Sequence, residues 1–277
     1  MIGSMFDLKT ETIEIEGGTV RLLRSGGEGG IPLLLTAPWP ESLYAFHRVW
    51  PTFQTLGPVI AVDLPGFGAS EWRKEVMSPL DMGGFLIRLI DRLELERVHA
   101  IVPDVGTLAA LFAAAEAPER FESIVGGSGG ADMNLLGDQL RQIVVSTRAD
   151  FAGIDGGQQV VDLIQSTARE PVPSAVLEDY RASSAGSRWN ETADFVRAYA
   201  TDLPVLGHLL PTIPTPVLVI SGSDDPFVPP SNGDFLRENL PRCATEIVSS
   251  GHFVWEDASD EYARLVADWI GGRYTTV

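Results

Sequence analysis

Three positions combine a reactive side chain with a place at the end of a predicted strand, and together they could run a two-step displacement. Asp104 sits in Val98-His99-Ala100-Ile101-Val102-Pro103-Asp104-Val105-Gly106-Thr107, which reads as a strand, a tight turn and an Ala-rich helix. A carboxylate held at the crest of such a turn can attack a saturated carbon and leave an alkyl ester on the protein. His252, in Ser249-Ser250-Gly251-His252-Phe253, follows the last predicted strand and could deprotonate the water that cleaves that ester. Asp225, in Gly222-Ser223-Asp224-Asp225-Pro226, follows the strand before it and could hold the imidazole in one tautomer. Open α/β sheets place their ligands at such strand ends.

Each position has a competing structural role. Asp104 also reads as a helix N-cap. Asp224 rivals Asp225, and either could form an Asx turn before Pro226. His252 could be a structural histidine, as His47, His99 and His208 are read to be. Gly126-Gly127-Ser128-Gly129-Gly130 matches G-x-S-x-G literally, but no small-residue helix follows it. It reads as a flexible, Gly-rich exit from the sheet, and Ser128 as a decoy.

The elements that must position these residues alternate along the chain. Thr12 to Glu16 and Thr19 to Leu23, separated by Gly17-Gly18, predict a hairpin. Ile31 to Leu35, Val59 to Val62, Val98 to Val102, Ser123 to Val125, Val217 to Ile220 and Glu246 to Val248 are short apolar runs suited to strands of a parallel sheet. Pro79 to Leu93, Thr107 to Ala115 and Ser259 to Ile270 carry helical patterns, the last with Tyr262, Leu265, Val266 and Trp269 on one stripe. The alternation predicts an α/β fold with a mostly parallel sheet flanked by helices. Strand signals vanish from Ala131 to Leu210. Residues 131–210 are therefore read as a helical cap inserted into a core made of residues 1–130 and 211–277.

With nucleophile, acid and histidine in that order, the chain resembles the α/β-hydrolase fold family over nearly its whole length. The motifs that carry the resemblance are Val62-Asp63-Leu64-Pro65-Gly66-Phe67-Gly68-Ala69-Ser70, Pro40-Glu41-Ser42, the Gly-x-x-Asp-Pro around Asp225 and the Gly-His-Phe around His252. An aspartate at position 104 resembles the branch that holds epoxide hydrolases and haloalkane dehalogenases. The resemblance implies a catalytic triad of Asp104, Asp225 and His252, with Asp225 favoured by its place three residues after Gly222. It also implies oxyanion donors at the Val105 and Trp39 amides and a cap proton donor at Tyr180 or Tyr199. The sequence departs from the family pattern at three places: Ala37-Pro38 replaces His-Gly, Val102 stands where a small residue is usual, and Val105 stands where haloalkane dehalogenases carry a Trp. Asp179 to Ala182 is also similar to fluoroacetate dehalogenases.

The implied activity is cofactor-free opening of an epoxide on a small molecule through an alkyl-Asp104 ester. A carboxylate attacking an ester would instead give a mixed anhydride, so esterase activity fits Asp104 poorly. A haloalkane or haloacid dehalogenase would share the triad and use halide donors such as Trp39 and Tyr180. A non-hydrolytic ligand-binding or biosynthetic protein is a third reading, motivated by Val102 and Pro38. Trp39, Trp189 and Trp255 are candidates to line a pocket.

Composition limits the partners. Of 277 residues, 44% are apolar, and 38 acidic against 20 basic residues give a net charge of -18, which disfavours nucleic acid and anionic membrane surfaces. The one cysteine, Cys243, excludes an internal disulfide or a Cys-rich metal site and suggests the cytoplasm. Met1-Ile2-Gly3-Ser4-Met5-Phe6-Asp7 lacks the pattern of a secretory signal. No cofactor or metal is expected, and oligomeric state leaves no trace in the sequence.

Overall fold

The computed structural model describes residues 4–27 and 29–277, so the Met1-Ile2-Gly3 start of the N-terminal segment lies outside it. Eight strands form one sheet: β1 (Glu11–Ile15), β2 (Gly18–Ser25), β3 (Leu33–Thr36), β4 (Val59–Val62), β5 (Val98–Ile101), β6 (Phe121–Gly126), β7 (Val217–Gly222) and β8 (Cys243–Val248). Their order is β1-β2-β4-β3-β5-β6-β7-β8, with β1 and β2 antiparallel to their neighbours and every other pairing parallel. Strands β3, β4, β5 and β7 are buried throughout, as strands covered on both faces must be. Alternate residues feed two separate cores: Leu34 and Ile60 join one, Leu33, Leu35, Val59 and Ala61 the other.

Eleven α-helices are described: α1 (Trp50–Phe53), α2 (Pro79–Arg92), α3 (Val105–Glu116), α4 (Asp138–Val144), α5 (Gly156–Thr167), α6 (Ser174–Ser183), α7 (Arg188–Arg197), α8 (Tyr199–Leu209), α9 (Ser231–Asn239), α10 (Val254–Asp257) and α11 (Ser259–Ile270). Helix α2 starts where Ser78 accepts a hydrogen bond from the Asp81 amide and Pro79 fills the first turn. It packs with α3 on one face of the sheet, while the stripe of α11 is buried with Trp50 and Phe53 of α1 on the other. Between β6 and β7 the described residues form α4 to α8 and no strand.

Two arginines are among the groups that fasten this helical segment to the sheet. Arg21 of β2 bridges the buried Asp63 after β4 to Asp179 of α6, meeting Asp179 with two hydrogen bonds of 2.7 and 2.8 Å. Arg188, which opens α7, donates to the carbonyls of Gly66, Gly68 and Ser70 at 3.2, 2.9 and 2.8 Å. No described helix is long and apolar enough to cross a membrane.

Two expectations change. The hairpin turns on Glu16-Gly17 rather than Gly17-Gly18, because Ile15 pairs with Gly18 and both turn residues have positive φ (51° and 79°). The glycine run after β6 is not a flexible exit but a close-packed crossing. Gly127 has φ 135°, and a Cβ there would lie 1.8 Å from the Ile220 carbonyl oxygen. A Cβ on Gly129 would lie 2.7 Å from the Asp104 carbonyl oxygen. Gly127→Ala should therefore lower stability by about 3 kcal/mol, through backbone overlap and an unfavourable φ, as read by urea unfolding.

Candidate active site

Asp104 occupies the turn between β5 and α3 with φ 55° and ψ -125°, a backbone state that side chains rarely adopt. Its surroundings hold it there. Its amide donates to the Gly127 carbonyl at 2.8 Å, and its carbonyl accepts from the Thr107 amide at 3.0 Å. Thr107 Oγ1 donates to the Val102 carbonyl at 2.8 Å and accepts from the Gly127 amide at 3.0 Å, locking turn and glycine run together. Val102 fits without disrupting the turn: it is fully buried, and its amide pairs with Val125 at 2.8 Å.

The Asp104 side chain makes no capping bond to α3. Oδ2 instead accepts the Trp39 amide at 2.6 Å, and the neighbouring Val105 amide helps to lower the carboxyl. The Trp39 donor is present although Pro38 precedes it. Oδ1 faces His252, with Nε2 at 3.8 Å. Burial pushes the Asp104 carboxyl up to about 6, against the pull of His252 and the two amides.

His252 Nδ1 lies 2.7 Å from Asp225 Oδ2, while Asp225 Oδ1 accepts the Phe227 and Val228 amides at 2.8 and 2.9 Å. The Asx turn and the histidine partner are thus the same residue. Asp224 points outward to Arg169 at 2.7 Å. Burial alone would lower the His252 imidazole, but the Asp225 carboxylate, helped by Asp104, outweighs it and raises it. Phe227, Phe253 and Trp255 surround the ring edge-on. Ser128 Oγ donates to the His252 carbonyl at 3.1 Å, so this serine supports the histidine loop.

These groups open onto a cavity of about 60 Å³, lined from the sheet domain by Trp39, Asp104, Phe227 and His252, and from the insertion by Leu140, Ile143, Trp189, Val196 and Tyr199. No lysine or arginine lines it. Trp189 stacks on Trp39 with ring centres 5.5 Å apart, while the Trp39 indole N–H donates to Thr192 at 2.8 Å.

The two candidate tyrosines part company. Tyr199 lines the cavity, and its hydroxyl has no protein hydrogen-bond partner among the described residues; burial and then the Asp104 charge hold its proton well above the ordinary range. Tyr180 does not line the cavity. Its hydroxyl donates to Glu256 at 2.9 Å, in a buried layer behind the site, which corrects its reading as a cap donor. Trp255 lies in that layer too, its indole on Glu41 at 2.9 Å. Sequence reasoning gave no role to Thr107, Thr192 or Glu256, which act only through contacts that the fold creates. Among the described residues, no group of three or more His, Cys, Asp or Glu side chains could hold a metal ion.

The paired carboxylate raises the His252 imidazole, so an NMR titration should place it above the ordinary 6.5. In Asp225→Asn burial acts without that partner and the value should drop below 6.5; an unchanged titration would show that Asp225 does not govern the ring.

Comparison with known proteins follows this geometry. A family model described as alpha/beta hydrolase fold matches residues 31–259. A 2-hydroxy-6-oxononadienedioate/2-hydroxy-6-oxononatrienedioate hydrolase from Burkholderia vietnamiensis is 27% identical over 259 residues, covering 89% of this chain and 88% of the relative. Among solved structures, Cfl2 from Burkholderia cenocepacia superposes with a TM-score of 0.84 at 21% identity, covering 97% of each chain. Haloalkane dehalogenase DbeA from Bradyrhizobium elkani gives 0.80 at 21% identity, covering 98% of this chain and 100% of the other.

Proposed function

Because the chain belongs to the α/β-hydrolase fold family, whose model spans residues 31–259, we propose that it is a hydrolase that opens a small, uncharged epoxide through an alkyl ester on Asp104. The observation that carries the reading is the unequal treatment of the two Asp104 oxygens. Oδ2 is held by the Trp39 amide at 2.6 Å, whereas Oδ1 faces His252 and the cavity.

In the first step Oδ1 attacks an epoxide carbon, the ring C–O bond breaks, and Tyr199 gives its proton to the alkoxide. Water that has lost a proton to His252 Nε2 then attacks Cγ of the ester. Negative charge gathers on Oδ2, where the Trp39 amide already donates, so little reorganisation is needed. Collapse breaks the Cγ–Oδ1 bond, the imidazolium protonates the departing oxygen, and a vicinal diol leaves. The proton left on the new Asp104 carboxyl restores Tyr199.

Substrate class is argued from the lining. The dienedioate named for the Burkholderia relative carries two carboxylates. Here no lysine or arginine among the described residues would meet them, and Asp104 would repel them. The cavity of about 60 Å³ has room for a compact molecule only, since one water needs about 10–15 Å³ on the same scale. Epoxide opening is favoured over dehalogenation because the Trp39 indole and the Tyr180 hydroxyl, the two candidate halide donors, are engaged by Thr192 and Glu256. Tyr199 remains available as an acid, which ring opening needs and halide loss does not.

In a single turnover in oxygen-18 water, label should enter Asp104 first and reach the diol only in later turnovers. Label in the diol at once would sink the covalent route. His252→Ala should accumulate the ester as a mass increase on the peptide that carries Asp104, and Tyr199→Phe should slow ring opening by about 10²-fold or more. Ser128→Ala should still form the ester, whereas Asp104→Asn should not.

Asp104 must be ionised to attack, and burial raises its carboxyl to about 6. The pre-steady-state alkylation rate should therefore fall as pH drops below about 6. A rate constant down to pH 4 would mean that another group is the nucleophile.

A further inference from the structure

Behind the oxyanion loop lies a second cluster of titratable side chains that the reaction above does not use. Glu41, two residues after Trp39, and Glu256, four after His252, are each only 1% exposed. Glu41 Oε2 accepts the Trp255 indole N–H at 2.9 Å, and Glu256 Oε1 accepts the Tyr180 hydroxyl of α6 at 2.9 Å. The remaining oxygens, Glu41 Oε1 and Glu256 Oε2, are buried and receive no N–H or hydroxyl donor. The two carboxyls lie in hydrogen-bonding contact with each other. Two ionised carboxylates have only acceptors to offer and repel at such a distance. A single proton between them satisfies both orphaned oxygens.

The groups that face the pair do not supply a substitute. His47 Nδ1 stands 3.8 Å from Glu256, but it is committed to the Tyr44 carbonyl at 2.9 Å, and burial lowers this imidazole. The Arg48 guanidinium draws Glu256 down but bonds the Pro171 carbonyl at 2.7 Å. Asp257 adds negative charge on the Glu256 side and Asp104 on the Glu41 side. Tyr180 stays protonated, raised by burial and by Glu256 and Glu41.

We propose that Glu41 and Glu256 share one proton and act as a positioning clamp that joins the oxyanion loop, the histidine loop and insertion helix α6 into one wall of the active site. Glu41 belongs to the loop whose Trp39 amide holds Asp104 Oδ2. Trp255, held by Glu41, packs edge-on to His252 with ring centres 6.1 Å apart. Tyr180 carries the connection into the insertion. Loss of the shared proton would set two anions against each other at the junction of all three segments, withdrawing the Trp39 amide from Asp104. The clamp acts on the reacting groups only through Trp39 and Trp255; neither glutamate lines the cavity.

The test uses the full chain and two readouts. Burial raises both carboxyls and the Glu256 charge raises Glu41 further, so the folded protein keeps a proton that the unfolded chain releases in the ordinary glutamate range. Stability from the shared proton is complete below that range and is lost as pH rises through the raised value. In denaturant titrations above pH 5, the unfolding constant of the wild type should climb more steeply with pH than that of Glu41→Gln, whose amide donates permanently, by up to about tenfold per pH unit. In parallel, Glu41→Ala should slow alkylation of Asp104 by about tenfold or more at neutral pH with a smaller change in KM, as displacement of an aligned donor does. Glu41→Gln should restore the rate and remove its alkaline decline. Equal pH slopes for wild type and Glu41→Gln, or an alanine variant as fast as wild type, would overturn the clamp. The kinetic arm rests on Asp104 as nucleophile and the stability arm does not. Unequal slopes without an Asp104 ester would therefore reject the reaction and leave the clamp standing.

Discussion

The site depends on one contact, the Trp39 amide on Asp104 Oδ2 at 2.6 Å. A buried carboxylate must find donors or give up its charge. This one finds them on one oxygen only. The strained turn at φ 55° aims the side chain away from α3 and toward the loop after β3, and that loop answers with a backbone N–H. Strain of this kind costs on the order of 1–3 kcal/mol and lasts only where the surroundings enforce it. Here the enforcement comes from Thr107 and the Gly127 carbonyl, which brace the turn from both sides.

The same contact explains why the surrounding segments are fixed so firmly. Asp63 accepts the Leu43 and Ala69 amides at 2.7 and 2.9 Å, stitching the oxyanion loop to the segment after β4. Arg21 extends that link to Asp179 in the insertion, and Arg188 repeats it through three carbonyls. Insertion and sheet domain are therefore registered by charge-assisted bonds close to the cavity, where a small slip would move Tyr199 relative to Asp104. Much of the conspicuous Asp63 to Ser70 motif serves this registration, not chemistry.

The fold was largely legible because its signals are local. Val59–Val62 and Ser259–Ile270 have the bounds that their apolar patterns predict. Strands β6 and β8 run longer than read, since Phe121–Glu122 precede the apolar run and β8 is a half-exposed edge strand whose polar residues hide the pattern. Asp104, Asp225 and His252 could be singled out in the sequence because each follows a strand, and the structure brings their side chains together. Asp225 is favoured over Asp224 by its place three residues after Gly222, and its side chain meets His252 while Asp224 meets Arg169; separating Tyr199 from Tyr180 needed the packing of the insertion. Both tyrosines sit in helices between β6 and β7 and are buried; nothing along the chain says that one lines the cavity and the other bonds Glu256. Likewise G-x-S-x-G around Ser128 looks catalytic as a string and is a packing device in space, because Gly127 lies against β7 and the serine bonds the His252 carbonyl.

Buried carboxylates near the site differ in how the protein satisfies their oxygens. Asp63 has both oxygens committed, to Leu43 on one side and to Ala69 and Arg21 on the other. Asp225 likewise spends one oxygen on two amides and the other on His252. Glu41 and Glu256 face each other and resolve their burial with a proton, which leaves no free lone pair aimed at the cavity. Asp104 alone among these five has an oxygen that meets neither a short hydrogen bond nor a shared proton, only an imidazole at 3.8 Å. Burial raises its carboxyl to about 6 against the pull of the His252 charge and of the Trp39 and Val105 amides. One aspartate is thus unevenly solvated by the protein, and the other four acids supply the scaffold that makes the unevenness possible.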